Sequence, residues 1–218
     1  MSDSLNIPYE FYYWGPYLVK FKIKEHERLK LLEVAKQNTE DFRYQLAGII
    51  EDEKLFTKNN TNWFMDYFSN YFKAYMQGLF KYNQQKLLQS VSELKIGGVW
   101  VNYMKANEFN PPHIHAGDLS FVMYLEIPED LKKERSEYKG TSAGPGAIQF
   151  DYGEADPSNR PACFATHHGF LPEPGDFFIF PANLQHCVFP FKCKGTRTSV
   201  AGNIYYKLNA EDDSNPHR

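Results

Sequence analysis

The sequence predicts a mainly β fold with N-terminal helices, a barrel or sandwich of short strands backed by a helical layer. Three observations predict it. Apolar residues recur at helical spacing up to Gly97-Gly98 and at a period of about 2 after it, so helices come first and strands second. Behind Gly97, at least six short apolar or aromatic runs alternate with turns rich in glycine and proline. Finally, 18 Phe, 15 Tyr and 3 Trp make 17% of the 218 residues aromatic, a supply suited to the packed faces of sheets.

In chain order, residues 17–23 alternate apolar and charged side chains after a Gly15-Pro16 turn and predict a strand. From 25 to 47, Leu29, Leu32, Val34, Ala35, Phe42 and Leu46 recur at spacings of three and four, predicting a helix broken near Asn38-Thr39. The polar stretch 58–62 offers N-cap residues. After it, Phe64, Phe68, Tyr71, Phe72, Tyr75, Leu79 and Tyr82, then Leu87, Leu88, Val91 and Leu94, predict one long helix almost to Gly97. Its aromatic stripe is expected to pack on a sheet rather than to stack on a ligand. Strands are expected at 99–104, 119–127, 147–152, 176–180, 185–191 and 198–208. The long connections 128–146 and 153–175 are expected to lack regular structure and to border a substrate entrance.

A chain of 218 residues can bury a sizeable core in one unit. It reads as a single domain over 1–218: an N-terminal strand and helical support at 1–96, a β core at 97–208 and a flexible tail at 209–218. The net charge of −3 offers no basic excess for a phosphate-rich partner, so nucleic acid is not expected. Three cysteines, Cys163, Cys187 and Cys193, form no C-x-x-C and no even set. A reducing cytoplasm is therefore expected. No apolar run approaches a membrane span, and residues 1–7 carry no signal-peptide pattern, so no membrane partner is expected.

The chemistry concentrates in a few scarce residues. In Pro111-Pro-His113-Ile-His115-Ala-Gly-Asp118, the two histidines lie two apart, so on an extended backbone both imidazoles share a face. Asp118 reaches the same site if Gly117 allows a bulge or turn. Downstream, Pro174-Gly-Asp-Phe-Phe-Ile-Phe-Pro181 leads through a second turn to His186. Two imidazoles and one carboxylate compose the facial triad of non-haem Fe(II), which leaves positions open for substrate and dioxygen. The ligands are drawn from His113, His115, Asp118 and His186. Eleven residues past His186 comes Arg197, with Ser199 two further on. If His186 and Arg197 occupy adjacent strands, the guanidinium faces the metal and can hold a carboxylate through two parallel hydrogen bonds. His167-His168 reads as an exposed loop, and the charge runs Glu51-Asp-Glu53 and Lys132-Lys-Glu-Arg135 read as solvated faces.

Taken together, His113-x-His115, the run 119–125, Gly146-Ala-Ile-Gln-Phe150, Pro174-Gly-Asp, Phe180-Pro181, His186 and Arg197-x-Ser199-x-x-x-Asn203 resemble the Fe(II)/2-oxoglutarate-dependent oxygenases of phages and bacteria. These are distant relatives of the prolyl hydroxylases. The resemblance runs from about residue 100 to 206, half the chain. The superfamily's first-half motif is H-x-D, and this chain has H-x-H-x-x-D. The resemblance implies a double-stranded β-helix, jelly-roll or cupin-like, with Fe(II) as metal and 2-oxoglutarate and dioxygen as cosubstrates. It implies Fe(II) on the histidines and Asp118, and the far carboxylate of 2-oxoglutarate on Arg197 and Ser199. Tyr124 and Asn102 are further cosubstrate candidates. The implied reaction is hydroxylation of a C–H bond in a peptidyl, including prolyl, or small-molecule substrate, with succinate and CO2 as co-products. Two alternatives stand beside it: a metal-binding cupin, isomerase or ligand sensor, which gives Arg197 no role, and a non-catalytic phage structural protein, whose histidines hold no metal.

Overall fold

The computed structural model describes residues 15–83, 91–153 and 166–208. Its elements are β1 (Val19–Lys22), α1 (Glu25–Ala35), β2 (Glu40–Asp41), a 3-10 turn (Arg43–Gln45), β3 (Glu53–Leu55), α2 (Lys58–Asn83), β4 (Val91–Met104) and β5 (Asn110–His113). There follow β6 (Leu119–Glu126), α3 (Leu131–Glu137), β7 (Ile148–Asp151), β8 (His167–Phe170), β9 (Asp176–Pro181), β10 (Gln185–Val188) and β11 (Arg197–Leu208). Among these, no helix is long and apolar enough to cross a membrane.

Two antiparallel sheets face each other. The larger has the order β1-β9-β6-β11-β4-β3-β2 and the smaller β5-β10-β7-β8. Strand alternation sorts the side chains of the larger sheet. Leu119, Phe121, Met123 and Leu125 of β6, with Phe177 and Ile179 of β9, pack on the helices, while Tyr124, Phe178 and Phe180 point the other way onto Ile148 and Phe150 of β7. The helical layer is built from aromatics, as the stripe on α2 predicts. Phe64 stacks on Phe121 with centroids 5.0 Å apart, and Phe72 meets Phe121 and Phe177 edge-on. All four rings are essentially solvent-free, and fully burying each stabilises the fold by roughly 2–3 kcal/mol.

The helices end earlier than the apolar spacing predicts. α1 stops at Ala35 because Asn38 turns back to cap it, its Nδ2 donating to the Val34 carbonyl at 2.9 Å and the Ala35 carbonyl at 3.2 Å. Phe42 and Leu46 therefore lie in the turn region beyond it, where Phe42 packs on Trp100. Thr57 supplies the N-cap of α2, its Oγ1 accepting from the Asn60 amide at 3.2 Å. Val91 and Leu94 are not helical: they open β4, where Leu94 lies opposite Tyr206 of β11. Leu87 and Leu88 fall outside the described residues, as do the tail 209–218 and Cys163.

Three short elements escape the sequence pattern. β5 carries two prolines, α3 forms inside the connection 128–146 expected to be irregular, and β8 holds His167 and His168 as exposed strand residues rather than loop. β5 and β8 are the outer strands of the smaller sheet, where a missing donor or an exposed side chain is tolerated.

Candidate metal centre

β5 and β10 lie side by side, and their register puts His113 directly opposite His186. His115 sits two residues past His113, and its backbone amide is pinned to the Ala182 carbonyl at 2.9 Å, between the ends of β9 and β10. The three imidazoles converge. Their ring centroids are 4.3 Å apart for His113 and His186, 4.9 Å for His113 and His115, and 5.1 Å for His115 and His186. One nitrogen from each lies within 4.8 Å of the others, close enough to share one ion.

The tautomers follow from the neighbours. Nδ1 of His186 is 3.0 Å from the Leu184 carbonyl, and Nδ1 of His113 is 2.7 Å from the Pro111 carbonyl. A carbonyl only accepts, so Nδ1 carries the proton in both rings and Nε2 keeps its lone pair for a metal. Burial holds all three rings neutral. It pushes His186 down to about 3, with the nearby His113 adding to the effect, and His115 down to about 4, while His113 is lowered by burial against the opposing bond to Pro111. Neutral imidazoles with free lone pairs suit Fe, Zn, Cu or Ni, so the residues present fit a first-row divalent ion.

Asp118 is engaged elsewhere. Its Oδ2 accepts from the Tyr206 amide at 2.9 Å, its own amide donates to the Ile204 carbonyl at 3.0 Å, and its carbonyl accepts from Ala182 at 3.0 Å. The turn at Gly117, with φ 101°, delivers it to β11, leaving the three-histidine group without a carboxylate among the described residues.

Arg197 and His186 do not lie on adjacent strands. β10 belongs to the smaller sheet and β11 to the larger, because the chain crosses between sheets in the turn that joins them. The arginine therefore approaches from the opposite wall. It is 2% exposed, its Nη1 donates to the Gly146 carbonyl at 3.1 Å, and its guanidinium carbon stands 5.3 Å from the centre of the Tyr124 ring. Arg197 Nε and the Tyr124 hydroxyl are buried without a hydrogen-bond partner among the described residues. Unsatisfied donors of this kind are costly and mark a place built for a ligand. Ser199, also buried, pairs across the ladder with Tyr124 and with Asn102. Between the two walls, Phe150 and Phe180 pack against His186, with centroids at 5.8 and 4.9 Å, and join Tyr124 in one apolar cluster.

Asn102 is committed to protein partners. The amide orientation that satisfies its neighbours has Nδ2 donating to Oε2 of Glu53 and Oδ1 accepting from Trp100 Nε1 at 3.3 Å. Trp100 in turn lies 5.6 Å from His115, centroid to centroid. Glu53, expected on a solvated face, is 2% exposed because β3 pairs with β4 at Asn102 and turns this carboxyl inward; burial raises its pKa to about 8. Arg135, expected on another such face, is half-buried and bonded to backbone carbonyls. No local signal separates either residue from the exposed charges around it, since only strand pairing and loop packing bury them.

Residues 98–203 match the family described as "Putative 2OG-Fe(II) oxygenase". Over this segment the chain resembles the 2OG-Fe(II) oxygenases. A search of the curated proteins finds no match. Among solved structures, the chain is similar to a viral collagen prolyl hydroxylase of Paramecium bursaria Chlorella virus-1 in complex with 2OG, with a TM-score of 0.53 and 15% identity over 87% of this chain and 96% of that one. It is similar to an oxidoreductase of the 2OG-Fe(II) oxygenase family from Burkholderia pseudomallei, with a TM-score of 0.55 and 13% identity over 89% and 86%. A prolyl hydroxylase from Trichoplax adhaerens, in complex with a hypoxia-inducible-factor peptide, gives 0.52 and 11% over 93% and 88%. At these identities the likeness is one of fold: the two facing sheets are the double-stranded β-helix of this group, backed by helices.

Proposed function

We propose that the chain is an Fe(II)- and 2-oxoglutarate-dependent dioxygenase that hydroxylates a C–H bond of a peptidyl, including prolyl, or small-molecule substrate and releases succinate and CO2. The observation that carries this reading is the placement of two sites on either side of one apolar cluster. Three neutral imidazoles gather on one wall, and a buried arginine with no counter-charge among the described residues stands on the other. The match of residues 98–203 to the oxygenase family supports it. A peptidyl substrate is supported by the likeness to two prolyl hydroxylases, one of them in complex with a peptide.

In this reading His113, His115 and His186 would hold Fe(II), which would supply the redox chemistry that couples a 2-oxo acid to dioxygen. The carbonyls of Pro111 and Leu184 orient two of the rings by accepting their Nδ1 protons. Arg197, with Ser199 and the Tyr124 hydroxyl, binds the far carboxylate of 2-oxoglutarate. Phe150 and Phe180 keep water from the inner face of His186.

The all-imidazole donor set also favours a second reading, a metal-binding cupin, which has no use for Arg197. Metal analysis followed by succinate release from 2-oxoglutarate separates the two. The oxygenase reading expects bound iron in wild type, none in His186→Ala, and a raised 2-oxoglutarate KM in Arg197→Ala. Iron retained by His186→Ala together with an unchanged KM in Arg197→Ala overturns it.

A further inference from the structure

Two guanidiniums meet at one carbonyl oxygen. Arg197 Nη1 reaches Gly146 O at 3.1 Å from β11, and Arg135 Nη2 reaches the same oxygen at 3.5 Å from α3. Arg135 is held there by two further carbonyls, its Nε donating to Pro145 O at 3.1 Å and its Nη1 to Pro172 O at 3.2 Å. Gly146 makes the convergence possible. Its φ is 66°, and a Cβ on it would stand 2.8 Å from Leu131 Cδ2 and 3.6 Å from Arg135 Nη2.

Among the described residues, every hydrogen-bond partner of the two arginines is a backbone carbonyl. Like charges this close repel, and the presence of Arg197 helps to lower the pKa of Arg135, after burial. The acidic groups near Arg135 answer its charge only in part, Glu173 acting to raise its pKa. Glu173 has a largely exposed side chain that faces Lys22 at 3.8 Å, and the Cys193 thiol is pushed up to about 11 and stays neutral. Next to the pair, Arg197 Nε and the Tyr124 hydroxyl have no hydrogen-bond partner among the described residues. One buried and one half-buried cation, with an unused hydroxyl on the ring beside Arg197, favour a ligand that brings negative charge.

We propose that Arg135 is a specificity-determining residue: with Arg197 and the Tyr124 hydroxyl it holds the far carboxylate of a dicarboxylic 2-oxo acid, so that a 2-oxo acid lacking that carboxylate is rejected. The proposal rests on the cosubstrate reading above and deepens it. It gives α3 a purpose, since the connection that carries this helix brings a second cation to a site that strand β11 furnishes with one. Two guanidiniums facing one carboxylate can donate to both of its oxygens, whereas a neutral chain end would leave the buried Arg197 without a counter-charge.

The test is equilibrium binding, read by calorimetry on the protein loaded with Zn(II), of 2-oxoglutarate and of 2-oxovalerate, which lacks the far carboxylate. Arg135→Gln is expected to weaken 2-oxoglutarate about tenfold or more and to leave 2-oxovalerate within about twofold, narrowing the preference. If Arg135 only staples the loop, the two acids weaken equally or neither changes, and either result overturns the proposal. Should Arg135→Gln fail to fold, Arg135→Lys keeps the charge but not the fork and is expected to narrow the preference about threefold; an unchanged preference again overturns it. Arg197→Gln tells the two failures apart. If it narrows the preference while the Arg135 variants do not, only the role of Arg135 is lost. If wild type itself shows no preference for 2-oxoglutarate, the cosubstrate reading fails as well.

Discussion

His186 faces His113 across a single rung of the β5–β10 ladder, with ring centroids 4.3 Å apart. Strand pairing, rather than a loop, thus sets the spacing of two of the three imidazoles, which is the rigid support that a metal site requires. The third, His115, occupies the place of the carboxylate in an H-x-D motif. Its replacement tests the donor set directly. His115→Ala is expected to weaken metal binding by more than about a hundredfold, because even partners outside the ligand set cost 10–100-fold. His115→Asp, which restores two imidazoles and a carboxylate, is expected to retain iron. Competition with a chelator of known affinity measures both.

Glu53 gives the pH dependence a definite sign. Its folded pKa is raised to about 8 by burial, against 4.5 for the unfolded chain. Between these values the folded state holds a proton that the unfolded state has released, so stability falls as pH rises from about 4.5 to 8. Glu53→Gln keeps a hydrogen-bonding group beside Asn102 and removes the titration. The variant is expected to match wild type near pH 4.5 and to gain on it steadily up to pH 8, by as much as a few kcal/mol. Urea denaturation of the metal-free proteins across this range reads the difference; parallel pH profiles would place the carboxyl in water.

The β core and the histidines were legible because they are local patterns. His113 and His115 share a face through a period of two, and the strands around 119–127 and 176–180 announce themselves by composition. Glu53, Arg135 and the placement of Arg197 were not legible. Each depends on which strand or loop covers another, information that no window of sequence contains. Glu53 sits in a run of three acidic residues and is buried only because β3 pairs with β4. Arg197 follows His186 closely in sequence, yet the chain changes sheets between them, so the short spacing does not put it on an adjacent strand. α1 failed for a different reason: one side-chain cap at Asn38 outweighed the apolar spacing beyond it.

The ring cluster under the larger sheet predicts where the fold is most sensitive. Phe121 is 1% exposed and touches Phe64, Phe72 and Phe177. Phe121→Ala is expected to cost about 3–5 kcal/mol, the transfer of one ring plus the cavity it leaves. Denaturant unfolding with an unchanged slope is the measurement, and a loss below about 1 kcal/mol would mean that neighbouring rings collapse into the space.

Asp118 offers the sharpest separation between structure and chemistry. Its Oδ2 anchors the Tyr206 amide at 2.9 Å, and its backbone links the end of β9 to β11. Removing the carboxylate therefore costs a charge-assisted hydrogen bond, about 1.5–3 kcal/mol, without touching the imidazole group. Asp118→Ala is expected to lower stability by that amount and to change metal affinity by less than about threefold, whereas a true ligand would lose a hundredfold or more. The two readouts move independently. A variant that unfolds at wild-type denaturant concentration but releases its metal would put the carboxylate in the coordination sphere, and would restore the two-histidine, one-carboxylate set in place of three imidazoles.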